Sequence, residues 1–474
     1  MKKPLTLRLL LLLNFSCFFL FQAQATHLRG GYMTYHVDEQ NSFKYHFSLI
    51  VYADELGVSM DNLAHIHVSD GSVINAPRKS ITVEGNQVIK VVFEGEHTFS
   101  QERTYTVFWA GINRNPGIIN IKPTSDVPLV IQSTLDVSAT ATNRYSLHYL
   151  VPSSAQAYVG QPFKFNFLAF DQEGDSLSYE LITPYTASPT GIIAPVAEFV
   201  QPDDFRVNRF GEITWDNPAL KGQYNFALQV TEHRNGKVIG TSINEFQILV
   251  FDALPLPQLT LLNKEGFISS SDNLLLAPPG QKLRLQFHIK TPSNGVAQKA
   301  THVSELLEPH LRNLSTLQVS TRDTTDGFIY IIDFVPSEHL RRNQPYAIGV
   351  NSSTDSNQPG LHTTRWEYAY LYVGEQLPPE PVEPKPEPEP EETEYNTFAL
   401  YPNPASHYLV IEIPTLEGAS EVFFFASNGQ LACRLQLEPG QNIIERQIEL
   451  AAGLYTYQIL SGENKVRKGK LVLL

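Results

Sequence analysis

Apolar and polar positions alternate with a period of two over most of the chain. Near the N-terminus the alternating stretches are Phe43 to Tyr52 (FKYHFSLIVY), Gln87 to Phe93 (QVIKVVF) and Thr104 to Trp109 (TYTVFW), separated by Gly, Asn, Asp and Pro. Aromatic and β-branched residues in that rhythm predict half-buried strands joined by turns, with successive side chains on opposite faces. The rhythm continues in Pro162 to Phe170 (PFKFNFLAF), Ser176 to Leu181, Gly211 to Trp215, Tyr224 to Thr231 and Glu245 to Phe251. In the first of these, Phe163, Phe165, Phe167 and Ala169 share one face, as the inner side of a sandwich would. Lys282 to Ile289, Phe328 to Phe334 and Trp366 to Val373 follow as strands, and Val303 to Leu314 is expected as a short helix interrupted by Pro309. The last expected strands are Tyr408 to Ile413, Glu421 to Phe425, Leu454 to Leu460 and Lys470 to Leu474, with turns at Asn428-Gly429, Pro439-Gly440 and Ser461-Gly462.

Two segments break the pattern. Residues 1–25 carry Lys2, Lys3 and Arg8, an apolar run from Leu9 to Phe21 and the small-residue pattern Ala23-Gln24-Ala25, the layout of a cleaved secretory signal peptide. The run falls short of the roughly 20 apolar residues that a spanning helix needs. Residues 378–394 hold seven Pro and seven Glu against one Lys, so nothing apolar is available to bury and the segment is expected to be a stiff, extended stalk. A proline-recognising partner is the other use of such repeats, and the stalk is preferred.

The expected fold is therefore all-β. An N-terminal β module spans 26–150, an immunoglobulin-like or cadherin-like sandwich 151–252, a third β-rich module 253–377, the Pro/Glu linker 378–394 and a small C-terminal β-sandwich 395–474. At 474 residues the chain is too long for one core, and 42% hydrophobic with 18% charged residues excludes wholesale disorder or a coiled-coil rod. Loss of the leader takes the formal charge from −14 to −17, which disfavours nucleic acid and anionic membrane surfaces as partners. It also removes Cys17, so Cys433 stands alone and an intramolecular disulfide framework is excluded. Cys433 is read as a small apolar packing residue.

Candidate chemistry is sparse. Asp171, Glu173 and Asp175 surround Gly174 after a strand, so hard oxygen donors could converge on calcium, with Glu232 completing the set. The competing reading is a solvated turn in which Asp and Gly serve the backbone geometry. His65 and His67 lie two apart and face the same side of a strand, but no third ligand can be named and they are read as solvent-facing. H-E-x-x-H, G-x-S-x-G and P-loop lysine motifs are absent, although 49 acidic residues leave a two-carboxylate glycosidase open.

Four ordered blocks, Leu400-Tyr401-Pro402-Asn403-Pro404-Ala405, Ser427-Asn428-Gly429-Gln430, Gly453-Leu454-Tyr455-Thr456-Tyr457 and Lys468-Gly469-Lys470-Leu471, resemble the type A sorting domain of the type IX secretion system. The resemblance implies passage through the periplasm, handling by the secretion machinery and its sorting peptidase, and either release or attachment to surface lipopolysaccharide. Thr26 to Tyr35 (THLRGGYMTY) and Asn113 to Asn120 (NRNPGIIN) resemble blocks of large surface proteins of gliding Bacteroidetes. Asp171 to Tyr179 and Gly211 to Asp216 resemble cadherin-like, dystroglycan-type immunoglobulin modules. Together these imply a secreted or outer-surface, non-enzymatic binding or adhesion protein for a surface, matrix or carbohydrate ligand. The alternatives are a hydrolase with its site in 253–377 and a structural subunit of a surface motility apparatus.

Overall fold

The alternating stretches fold as antiparallel strands whose pairings run in a circle. In the computed structural model, residues 28–379 and 399–473 are described, except 56–59, 86, 113, 123–126, 141–142, 189–192, 293–297 and 356–361 in the first stretch and 402–404, 406–407, 414–419, 427–429, 446–452 and 462–465 in the second. The leader, most of the Pro/Glu segment and parts of two sorting-domain blocks lie outside the described residues.

The first strand, Leu28–Val37, pairs with Lys44–Asp54, and the ladder continues through Val88–Thr98, Val73–Gly85, Leu63–Val68, Arg103–Gly111 and Leu129–Val137. The circle is completed by a strand from much later in the chain. Lys237–Phe251 pairs with the last of these at Gly240 to Ser242 and with the first at Gly31↔Glu245. Two glycines make that closure sterically feasible: a Cβ on Gly30 would stand 2.1 Å from the Glu245 carbonyl oxygen, and one on Gly31 2.3 Å from that of Ile50. Tyr45, Phe47, Phe93 and Tyr105 fill the interior.

The same 15-residue strand then builds the second module. It pairs along its length with Gly222–Arg234, which pairs in turn with Ser176–Ile182, and its far end runs parallel to Ser154–Tyr158. A facing sheet of Phe163–Asn166, Glu212–Trp215 and Phe205–Val207 closes a core containing Phe205 stacked on Phe226 at 3.8 Å. One continuous sheet thus crosses the 150/151 boundary. Within PFKFNFLAF, Phe163, Phe165 and Phe167 are buried as expected, but Ala169 is only half-buried and Leu168 takes the inner place. Leu168 adopts φ +52° and its N–H is bound by Asn166 Oδ1 at 2.8 Å, which breaks the alternation.

The third module is a pair of four-stranded sheets, Gln258–Leu261, Leu283–Lys290, Gly327–Pro336 and Ser315–Thr324 against Leu274–Ala277, His362–Val373, Tyr346–Asp355 and Gln298–Val303. The helix expected over 303–314 is replaced by a single 3₁₀ turn, Glu305–Leu307, capped by Ser304. Pro309 drives the residue before it into extended backbone, and Glu308 sits there at ψ 147°. The second and third modules share side chains: the Phe210 and Tyr370 rings stack at 4.3 Å, and Tyr368 Oη accepts from Asn166 N at 2.8 Å.

The chain divides into two compact units between Pro379 and Glu380. The C-terminal one has a three-stranded sheet, Ala399–Tyr401, Tyr408–Ile413 and Gly440–Glu445, and a four-stranded one, Leu431–Leu437, Ser420–Ala426, Gly453–Ser461 and Val466–Leu473. Ile411, Ile413, Val422, Phe424, Ile459 and Leu471 form its core, against which half-buried Cys433 packs. Gly469 lies opposite Tyr457, whose ring covers it; a Cβ there would meet the Tyr457 hydroxyl at 2.3 Å.

Candidate functional site

The acidic loop forms where the short strand Ala169–Phe170 ends. Asp171 Oδ1 accepts from the N–H groups of Glu173 (2.8 Å) and Asp175 (3.0 Å), and Gly174 turns the chain at φ +83°. Asp171, Glu173 and Asp175 come within 4.8 Å of one another. The structure therefore brings together all three candidate metal ligands. It also brings a cation that the spacing did not reveal: Arg234, at the end of Gly222–Arg234, donates to Asp175 through Nε (2.8 Å) and Nη2 (2.5 Å), and its Nη2 lies 3.1 Å from Glu173 Oε2. Glu173 Oε2 takes the backbone N–H of Arg144 as well, at 2.9 Å.

Calcium needs about six to eight oxygens around a single point. Here both Asp175 oxygens and one of Glu173 already face a guanidinium, and Asp171 Oδ1 faces two amides. Of the carboxylate oxygens of these three acids, Asp171 Oδ2 is buried without a hydrogen-bond partner among the described residues. As arranged, Arg234 supplies the countercharge to Asp175 and Glu173, and a calcium ion at the three acids would compete with that guanidinium. Glu232, the proposed fourth ligand, is turned to other work: it is buried, accepting from Asn143 Nδ2 at 2.9 Å and from the Leu147 N–H. Burial pushes the Glu232 carboxyl up to about 8, with the negative charge of Asp171 adding to it and the Asn143 and Leu147 bonds opposing. Burial likewise lifts Asp171 to about 6.

His65 and His67 sit on the exposed face of Leu63–Val68. His65 Nδ1 lies 2.9 Å from Asn75 Oδ1 and His67 stacks on Phe108 at 5.1 Å. The two blocks Leu28–Tyr35 and Arg114–Asn120 converge on the shared strand. Arg114 is ion-paired with fully buried Glu245 and donates to the carbonyls of Pro128 (3.0 Å) and Tyr185 (2.8 Å). Asn115 donates to Gln247 at 3.2 Å, and Asn120 exchanges hydrogen bonds with Asn225. Burial holds Glu245 at about 7 despite the Arg114 charge. Arg114, Asn115 and Asn120 join modules and stand away from the cleft that Arg29 of the first block helps to line.

That cleft, of about 180 Å³, opens where the three modules of the first unit meet. Its wall takes Arg29 from the first strand, Gln156 and Lys164 from the second module, and Asn351, Arg365 and Trp366 from the third. Arg29 is ion-paired with Asp54, and Lys164 Nζ with Glu367 at 2.9 Å. Arg365 donates to the Pro162 carbonyl at 2.8 Å, and no ion pair engages it among the described residues. The Trp366 ring is half-buried, standing edge-on to Phe165 at 6.4 Å and parallel to Tyr368 at 5.9 Å. No local motif marks this constellation, because its members are scattered over more than three hundred positions. The only signal available in the sequence was a cation set beside aromatics, in Phe163-Lys164-Phe165 and Arg365-Trp366.

No curated protein sequence matches the chain. Solved structures align at low similarity. A SusE-like surface-located polysaccharide-binding protein from the Bacteroides thetaiotaomicron heparin utilisation locus is 10% identical over 94% of this chain and 81% of its own, with a TM-score of 0.17. The BSP domain of a biofilm-associated protein is 8% identical over 95% and 96%, TM-score 0.14, and DIP-gamma IG1+IG2 10% over 46% and 97%, TM-score 0.15. Similarity at that level carries no functional argument. Residues 399–473 match the family described as Secretion system C-terminal sorting domain, and with that domain at its end the chain is a substrate of type IX secretion.

Proposed function

We propose that the exported chain is a non-enzymatic binding protein of the cell surface or surrounding medium, with residues 395–474 as its secretion signal and the first unit as the part that engages a ligand. The sorting-domain match at 399–473 carries the export half. The ligand-binding half is supported by the cleft at the seam of the three modules, where a guanidinium in no ion pair among the described residues stands beside a half-buried aromatic ring. Adhesion to a matrix or a glycan is the activity this suits. Cleavage of the tail by a sorting peptidase, followed by release or attachment to lipopolysaccharide, is the corresponding fate of the chain.

The test has two arms. Deletion of residues 395–474 in the native host is expected to strand the protein in the periplasm; unchanged delivery to the surface or medium would remove the tail's role. Purified secreted protein is then screened against glycans and matrix proteins, and saturable binding without substrate turnover is expected. Turnover of any panel member would replace the binding reading with an enzymatic one.

A further inference from the structure

We infer that the seam cleft binds a single carboxylate-bearing sugar ring, a uronic acid at the end of a glycan chain, with Arg365 on the carboxylate and Trp366 against the ring. This deepens the binding reading above and rests on it. Arg365 is the anchor because the other lining cations are already engaged, Arg29 by Asp54 and Lys164 by Glu367. Glu367, the acid nearest to Arg365 in sequence, acts on it by charge but is ion-paired with Lys164 and Lys264, the latter at 3.5 Å, and the acid in the wall itself, Glu84, accepts from Thr82. In a chain with 49 acidic residues, a guanidinium with one carbonyl contact and no ion pair among the described residues, held only at longer range by the Glu367 charge, is matched to an anion from outside. A planar guanidinium meets a carboxylate through two parallel bonds.

The rest of the wall selects a sugar over other carboxylates. Gln156 Oε1, Asn351 Oδ1 and the Tyr158 hydroxyl are buried without a hydrogen-bond partner among the described residues. Unmet acceptors are costly, and rotation of a terminal amide turns its oxygen or its NH₂ toward the cleft, where vicinal hydroxyls both donate and accept. The part of Trp366 that lines the cleft offers apolar surface to the C–H side of a pyranose. About 180 Å³ is below the roughly 300–1,000 Å³ of sites for drug-sized ligands, so the cleft takes one ring. The chain's formal charge of −14 repels an extended polyanion, which favours a terminal residue over the interior of a polymer.

The experiment is calorimetric titration of the secreted protein with trigalacturonate and with the neutral galactose trisaccharide. Trigalacturonate is expected to bind at least tenfold more tightly. Arg365→Gln is expected to abolish that preference and Arg365→Lys to keep part of it, with unfolding midpoints showing that each variant is folded. Thr364→Tyr, which fills the cleft from its rim, is expected to remove binding of both sugars and serves if the Arg365 variants do not fold. Equal affinity for the acidic and neutral sugars, or undiminished trigalacturonate binding by the folded variants, would overturn the inference. If the wild type instead binds another panel ligand and Arg365→Gln binds it equally, the cleft assignment falls and the binding reading stands; if it binds nothing in the panel, both fall.

Discussion

Gly30 packs directly against the Glu245 backbone. An alanine Cβ at Gly30 would overlap backbone atoms, which cannot rotate away, so Gly30→Ala is expected to cost at least the about 1–3 kcal/mol typical of overpacking. Gly266→Ala, where nothing lies within 4 Å, should stay within about 0.5 kcal/mol of wild type. Comparison of denaturant midpoints checks both. Glu232 makes a different demand. Its carboxyl lies at about 8 in the folded protein against an ordinary 4.5, so between those values the folded state holds a proton that the unfolded chain has lost. That contribution is complete below pH 4.5 and is lost as pH rises through 8, so stability should fall across the window. Glu245, held at about 7, adds to the same fall. Denaturant midpoints from pH 5 to 9 should show it, with a shallower slope in Glu232→Gln; an identical slope in the variant would assign the dependence elsewhere.

At the scale of elements, the period-two pattern was enough to locate strands such as Lys44–Asp54 and Gly327–Pro336, because one buried face imposes alternation on its own sequence. Partners were not legible. Nothing in Lys237–Phe251 indicates that its Gly240 to Glu245 stretch closes one module while its whole length builds another, since the pairing with Leu129–Val137, Leu28–Val37 and Ser154–Tyr158 is set by partners distant in sequence. The acidic loop shows the same limit: Asp171, Glu173 and Asp175 were visible as a cluster, but their countercharge comes from Arg234, distant in sequence. Removing that guanidinium leaves nearly buried Asp175 unpaired. Arg234→Met is thus expected to cost toward the low end of the about 3–5 kcal/mol seen for broken buried pairs, since Arg234 keeps some solvent contact. With Arg234 in place, replacing chelator by millimolar calcium should leave the melting midpoint unchanged. A rise of several degrees would show that the ion displaces the guanidinium.

At the scale of the whole molecule, sequence boundaries and cooperative boundaries part company. The seam cleft exists only because residues 28–379 fold as one unit, and its lining was illegible because no single module contains it. Residues 28–150 hold seven strands of the first ring, but the edges at Leu28–Val37 and Leu129–Val137 both rely on Lys237–Phe251. Without that strand two hydrogen-bonding edges and the polar groups facing Glu245 are exposed, and Arg114 loses its buried carboxylate. Expressed alone, 28–150 is expected to be insoluble or to melt without a cooperative transition, whereas 28–379 should unfold in one step because Phe210, Tyr368 and Tyr370 tie the third module into the core of the second. Calorimetry and amide NMR dispersion on the two fragments decide the matter. A well-dispersed, cooperatively melting 28–150 would mean that the ring closes by itself, and the late strand would then be a junction between finished modules, not the stave that completes the first.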